Sequence, residues 1–458
     1  MSGGLMCFLA GVVFGYFILS QLYVDIPWKP RYYEVAATTQ ETIRNVPAAS
    51  AFTKKDDIFD RCVLVENDPW DEEILDIATP SFDPLRNCNR SYVPLTILED
   101  GILRVSDNSS GSVAYTCRGR CVNLIDDYHY SGGSWEELPH LFECDIVEAE
   151  CRNDTTKIYN FLHTQVVPIT NAEAKESSSR PYRPNVHIVL FDSVADTQSM
   201  RSFPNTIAYI QETFGSIRFR HMNKVGDNSR PNGVAFMLGK RAYSVDKKIF
   251  GVPSLKSQFS YEMSCEKPLE KKNLTSLIFN LFEEGGYRTM MAEDWSKGVF
   301  NYPKCTGFRE KPTDHYMRPF QLRYFDAEDK HSLIRKAMSM DNCMEHHQFL
   351  LSYLEQFIHA YPDEPKFSLT WMSYLSHDDP DVIYHADDYV KAFFERNKEE
   401  FDKSFVFLMG DHGLRFGKQR DTRLGKIEVN NPMLHLIIPR ELRDKPDLKA
   451  VLNDNSMK

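Results

Sequence analysis

The rhythm of hydrophobic positions changes several times along this chain. Residues 5–24 form an apolar run without one charged side chain, close to the ~20 residues that a helix needs to cross a hydrocarbon core. Residues 25–60 have little periodicity and carry Pro27, Pro30 and Pro47, which suits a stalk. Residues 61–172 switch to short β-branched and aromatic runs, 93–98 and 102–105, broken by Asp-Gly and Asn-Ser-Ser-Gly turn signals. Residues 173–183, rich in Ser and charge, read as a linker.

From 184 to 458 strand-length and helix-length runs alternate. Strands are predicted over 186–191, 287–292, 366–374, 404–409 and 433–438. Helices are predicted over 204–214, 273–284, a long zone at 332–360, and 387–398. Such alternation predicts an α/β fold with a mostly parallel sheet. The strands are too apolar for one wet face, so helices should cover both sides. Ligands in such sheets gather at the carboxyl ends of the strands.

Net charge is -11, from 54 Lys+Arg against 65 Asp+Glu. That balance gives no electrostatic reason to bind phosphate backbones, so nucleic acid is not expected as a partner. The apolar run lacks a basic start and a clean cleavage site, so it reads as an uncleaved signal anchor holding the chain to a membrane, with a cleaved signal and a secreted body as the alternative. Lys29 and Arg31 after the run favour a cytoplasmic body. Opposing them, Cys7 alone of the 10 cysteines precedes the body, and Asn89, Asn108, Asn153 and Asn273 each begin a glycosylation sequon. A lumenal or extracellular body follows.

Cys62, Cys88, Cys117, Cys121, Cys144 and Cys151 make residues 61–172 a disulfide-rich, β-leaning accessory region, with about fifteen possible pairings. Cys117 and Cys121 have zinc-like spacing but no matching partner pair. Nothing in the sequence sets an oligomeric state.

The chemistry sits at the strand ends. The first strand ends in Asp192-Ser193, the third runs into His377-Asp378-Asp379, and the fourth ends in Gly410-Asp411-His412-Gly413. Each acid or imidazole alone suits a cap or a surface; three strands delivering them to one edge suit a divalent cation. A polar loop containing Asn228-Ser229 leads straight into an apolar run. Either residue can simply cap a helix through Leu238. The same place suits an oxygen nucleophile, because a helix N-terminus favours the deprotonated form and an incoming anion.

With these residues in place, Asp192, Asn228-Ser229-x-Pro-Asn232, His377-Asp-Asp and Gly410-Asp-His-Gly413, the chain resembles the alkaline phosphatase and sulfatase superfamily. Its wider wording is similar to the animal branch called the domain of unknown function 229 family: Ala292-Glu-Asp-Trp295, Pro312-Thr-Asp-His-Tyr316, and Asp411-His-Gly-Leu-Arg-Phe-Gly417 with Gly425-Lys-x-Glu428. The resemblance covers about 184–442. It implies an alkaline-phosphatase-like fold in which Asp192, Ser229, Asp411 and His412 hold one divalent ion, which could be manganese, zinc, magnesium or calcium. Ser229 would also be the nucleophile, and His377 would touch the substrate or the leaving oxygen. The substrate would be an anionic ester, phosphate ahead of sulfate, held by Arg230, Asn232 and Lys426; the enzyme would be a hydrolase or transferase.

Two departures narrow this reading. Sulfatases use a Cys/Ser-x-Pro-x-Arg frame, and Gly233 stands here where that Arg belongs. The Asp-x-x-x-His pair and later His of two-metal members are not reproduced, and His435 inside an apolar strand reads as core. Family members commonly have Thr at the nucleophile position, for which Ser229 is a tolerable substitute. They also continue beyond the last strand, so a shortened domain is expected. Glu293-Asp294-Trp295 could line a pocket or brace it, Arg415 and Arg420 could hold an anion or sit in solvent, and His346-His347 reads as a half-exposed helical pair. The rival function is a catalytically silent, membrane-anchored glycoprotein that keeps the fold for binding.

Overall fold

The computed structural model describes residues 64–107, 115–169, 183–260, 265–295, 297–302, 304–326, 329 and 331–457. The expected membrane run, the stalk, Cys62, Asn108 and nearly all of the linker lie outside them. Among the described residues no helix is long and apolar enough to cross a membrane.

The accessory strands are β1 (Thr96–Glu99), β2 (Ile102–Val105), β3 (Thr116–Asp126), β4 (His129–Gly132), β5 (Glu136–Glu137), β6 (His140–Leu141), β7 (Ile146–Asn153) and β8 (Thr156–Thr164). They form a three-stranded sheet, β1-β2-β6, and a five-stranded one in which β4-β3-β7-β8 run in order and β5 pairs with β3. Cys117–Cys151 and Cys121–Cys144 bridge within this region, so the spaced pair Cys117 and Cys121 is disulfide-bonded rather than free for zinc. Cys88 instead reaches Cys343, and Cys265 pairs with Cys305. Four disulfides place the folded body in an oxidising compartment.

The site is carried by a second sheet: β9 (Asn185–Phe191), β10 (Ile217–Arg218), β11 (Arg288–Glu293), β12 (His315–Tyr316), β13 (Lys366–Met372), β14 (Ser404–Gly410) and β15 (Leu434–Ile437). Its order is β10-β15-β14-β9-β13-β11-β12. The five strands from β14 to β12 are parallel. β15 is antiparallel to β14, and the two-residue β10 is antiparallel to β15. The sheet is therefore mixed. β15 follows β14 after residues 411–433, which contain the helices Gly417–Asp421 and Arg423–Glu428, long enough for a parallel return, so the length of the connection does not force the reversal.

Side chains alternate between two cores, as the period of two demands. Val189, Phe191, Met290, Ala292, Val406 and Leu408 join helix His346–Ala360 and helix Asp387–Arg396 on one face. Ile188, Leu190, Met291, Leu369 and Trp371 join helix Ser229–Leu238 and helix Ile278–Glu284 on the other. The first core runs on without a break into the accessory strands, through Val147, Ala149 and Leu162. A buried ion pair, Arg323 to Glu148 at 2.7 Å, crosses the same junction.

Two predicted helices differ. Only Ile278–Glu284 of the 273–284 run is α-helical. The long zone is split into Leu333–Ala337 and His346–Ala360 by a turn at Cys343, which has φ 59° and is tied to Cys88. His347 is buried rather than half-exposed.

Candidate metal centre and cavity

Register places the candidate residues together. Gly410 pairs with Phe191 and Phe191 with Met372, so β14, β9 and β13 end level. Asp192 and Asp411 are the next residues on their strands. The main chain turns sharply there. Ser193 has φ 63°, an unfavourable left-handed value for a residue with a side chain. Its N–H donates to Asp411 Oδ1 at 3.0 Å and its hydroxyl to Asp192 Oδ1 at 2.8 Å, which holds the turn. Gly413 is dictated by packing, since a Cβ there would run into the carbonyl of Glu428.

Asp192, Asp411 and His412 are buried, and their ligand atoms all lie within 4.8 Å of one another. Asp411 Oδ2 and His412 Nε2 have no hydrogen-bond partner. Two carboxylates and an imidazole held this close, with buried lone pairs unsatisfied, fit a divalent cation. Burial, and then the carboxylate of Asp192, push the Asp411 pKa above its ordinary value. A bound cation would reverse that tendency.

Ser229 is the first residue of helix Ser229–Leu238, and Asn228 is its cap, accepting from Arg230 N at 3.2 Å. The division of labour leaves the serine hydroxyl clear of capping. It donates to Asp192 Oδ2 at 3.1 Å.

One cavity opens on this centre, lined by Asp192, Ser229, Glu293, Trp295, His377 and Arg415 among others. His377 Nδ1 lies 2.7 Å from Asp378 Oδ1, and its Nε2 lies 3.1 Å from Arg415 Nη2. A guanidinium can only donate, so Nε2 accepts and the ring proton sits on Nδ1, facing Asp378. Trp295 and Phe416 flank the imidazole at 5.5 and 6.4 Å between ring centroids.

The three expected anion-binding residues are placed differently. Arg230 lines the cavity, but its Nη1 donates to the carbonyls of Val299 and Tyr302, both at 3.2 Å, and its Nη2 contacts Cys265 Sγ at 3.5 Å. It braces the cavity wall. Asn232 is buried and spends its amide on Val225 N, Gly226 N, Gly226 O and Asn228 O. Lys426 is exposed on helix Arg423–Glu428. Besides Arg230, the cations that line the cavity are Lys297 and Arg415. Arg415 follows the Asp-His-Gly turn in sequence, a signal the strand pattern contains; Lys297 has none.

The Glu-Asp-Trp triplet divides its work. Glu293 and Trp295 line the cavity, whereas the buried Asp294 accepts from Ser373 N at 2.7 Å and Tyr374 N at 3.2 Å. His435 is buried in β15, both ring nitrogens unpartnered, and does not belong to the acidic group. Asn89 and Asn273 are exposed and Asn153 is half-buried.

An α/β sheet whose parallel strands end in a buried Asp, Asp and His set, with a serine hydroxyl at a helix start beside it, defines a protein with a candidate metal centre. The chain belongs to the family described as a protein of unknown function (DUF229), whose model matches residues 82–458. No curated protein matches it by sequence. Among solved structures it is similar to a protein in the alkaline phosphatase superfamily from Vibrio parahaemolyticus, at 15% identity and TM-score 0.36, covering 57% of this chain and 62% of that one. It is also similar to the lipoteichoic acid synthase LtaP from Listeria monocytogenes, at 13% and 0.34, covering 56% and 65%. A third is the C-terminal periplasmic domain of EcEptC from Escherichia coli, at 10% and 0.36, covering 59% and 77%. The chain thus spans less than two thirds of the Vibrio and Listeria proteins.

Proposed function

We propose that the protein is a metal-dependent hydrolase or transferase of phosphate esters, with Ser229 as nucleophile. One observation carries the reading: the Ser229 hydroxyl is hydrogen-bonded to Asp192 beside two buried, unpartnered ligand atoms, at the open end of the sheet.

Asp192, Asp411 and His412 would hold the ion, with Ser229 Oγ as a further ligand. A divalent cation there supplies positive charge that lowers the hydroxyl pKa and offsets charge on the transferred group. Asp192 Oδ2 already orients the hydroxyl and accepts its hydrogen. Ser229 stands at the start of its helix, where the dipole favours an anionic group. Arg415 and Lys297 supply cationic donors from the cavity wall.

In the first step Ser229 Oγ bonds to phosphorus and the ester oxygen departs with the bonding electrons, taking up a proton. Water or an acceptor alcohol then displaces Ser229. His377 Nε2 has no proton to give while it accepts from Arg415; to protonate the leaving oxygen, it must gain a proton and release the guanidinium. Arg415 and His377 therefore act as one unit.

Phosphate is preferred over sulfate because Gly233 stands where the sulfatase frame carries its Arg. The test is turnover of an aryl phosphate and an aryl phosphodiester by the purified full chain with manganese, zinc, magnesium or calcium. Ser229→Ala should lower the rate by about 10³-fold or more while unfolding stays unchanged. Equal rates for the two proteins would refute the assignment.

A further inference from the structure

A basic hairpin lies at the far end of the helix that begins with Ser229. That helix stops at Leu238, and the loop that follows is closed by paired backbone bonds between Val245 and Leu255, at 2.8 and 2.9 Å. Its tip is the 3₁₀ turn Lys248–Phe250 followed by Gly251. Asp246 shapes the tip from inside, accepting from Lys248 N at 3.0 Å and Ser254 Oγ at 2.7 Å. The form is built, yet its apolar side chains face outward: Ile249 is 85% exposed, Tyr243 47% and Val252 46%.

One exposed apolar residue needs no explanation. Three on one hairpin, among Lys240, Lys247, Lys248 and Lys256, form a pattern. Asp246 is the single acid between residues 239 and 260, in a chain whose net charge is -11. An exposed apolar tip with lysines on either side of it in the chain matches a surface with anionic headgroups above an apolar interior, where Ile249 gains a dry phase and the lysines stay at headgroup level. A nucleic acid or an acidic protein would meet the charge and leave the isoleucine in water.

We propose that the 239–256 hairpin docks the protein on anionic phospholipid, independently of the reaction at Ser229. The acidic remainder of the molecule is repelled by such a surface, so the hairpin also sets which side approaches it.

The experiment is limited trypsin digestion of the full chain with vesicles of phosphatidylcholine alone or with added phosphatidylserine. Cleavage after Lys247 and Lys248 is followed by mass spectrometry against cleavage after Lys449 as internal reference. The readout is local, so attachment by another part of the chain does not imitate it. Phosphatidylserine should slow cleavage at the tip on the order of tenfold, as several lysines each contributing a few-fold would give. High salt should restore it. Ile249→Asp, an exposed change that should leave the unfolding midpoint alone, should abolish the protection, and Lys240→Glu with Lys256→Glu should weaken it. Equal cleavage on the two vesicles would overturn the proposal. So would protection by heparin that matches the vesicles and survives Ile249→Asp, which would point to an acidic polymer.

Discussion

The guanidinium of Arg201 meets the carboxylate of Glu428 at 2.7 Å, with 1% and 5% of the two side chains exposed. Thr197 Oγ1 donates to the same oxygen at 2.5 Å. Helix Asp196–Ser202, which carries Arg201 and Thr197, begins four residues after Asp192, while the Glu428 carbonyl lies against Gly413. The pair therefore ties the turn bearing Asp192 to the turn bearing Asp411 and His412. Removing one partner strands a buried charge, so Arg201→Met should cost about 3–5 kcal/mol of stability. Arg201→Met with Glu428→Gln should cost less than the single change. Denaturant unfolding of the three proteins measures this, and a loss below about 1 kcal/mol for Arg201→Met would reduce the pair to the rank of a surface bridge.

Buried groups should pull stability in opposite directions across the mildly acidic range: burial holds His163, His187, His346, His347 and His435 well below the ordinary imidazole value, so they add stability as pH rises, while three carboxyls remove it. Burial pushes the carboxyl of Asp127 up to about 6, and those of Glu293 and Asp294 up to about 7. Unfolded, these groups ionise near 4. Between about 4 and 7 the folded state holds more protons, so each carboxyl removes about 3–4 kcal/mol as pH climbs through that window, with little further change above it. The carboxyl share is isolated by comparing variants: with chelator present so that metal binding does not intervene, Glu293→Gln, which removes one of these carboxyls, should gain stability relative to the parent between pH 5 and pH 7.5, and a difference that does not change with pH would refute the assignment.

What the sequence conveyed depended on the range of the interaction. Continuous apolar runs such as 186–191 and 404–409 mark strands buried on both faces, and the acids that end them need no long-range knowledge to be suspected. The 61–172 cysteines could not give the partner of Cys88, since Cys343 lies 255 residues away. Strand β10 is only two residues long and carries no period. The direction of Arg230 was equally invisible: neighbouring Ser229 in sequence suggested a substrate cation, whereas the helix turns it toward the Val299 and Tyr302 carbonyls. The reversal of β15 carried no signal either, since its connection through residues 411–433 is long enough for either direction.

Metal should stabilise the fold by mass action. An ion that binds only the native state at a free concentration of a hundred times its Kd adds about 2.7 kcal/mol. Chelator should lower the unfolding midpoint of the parent protein, and each active metal should restore it in proportion to the logarithm of its concentration. Asp411→Asn, which keeps the shape and removes a charged ligand, should remove most of that response. A parent protein whose midpoint ignores both chelator and metal would leave the catalytically silent reading in place.

The two long-range disulfides should fail in different ways. Cys88–Cys343 closes 255 residues and Cys265–Cys305 closes 40. By loop entropy alone the first restrains the unfolded chain by about 5 kcal/mol and the second by about 4. Cys265–Cys305, however, borders the cavity wall: Arg230 contacts Cys265 Sγ and holds the carbonyls of Val299 and Tyr302, and both of those residues line the cavity. Replacing Cys88 and Cys343 by Ala should therefore lower the unfolding midpoint while KM for an aryl phosphate stays near that of the parent. Replacing Cys265 and Cys305 should raise KM severalfold at a temperature where the protein is still folded, because the wall moves before the core does. If both double variants lost stability and neither changed KM, the wall would be held by Arg230 alone, and Arg230→Lys would be the change that raises it.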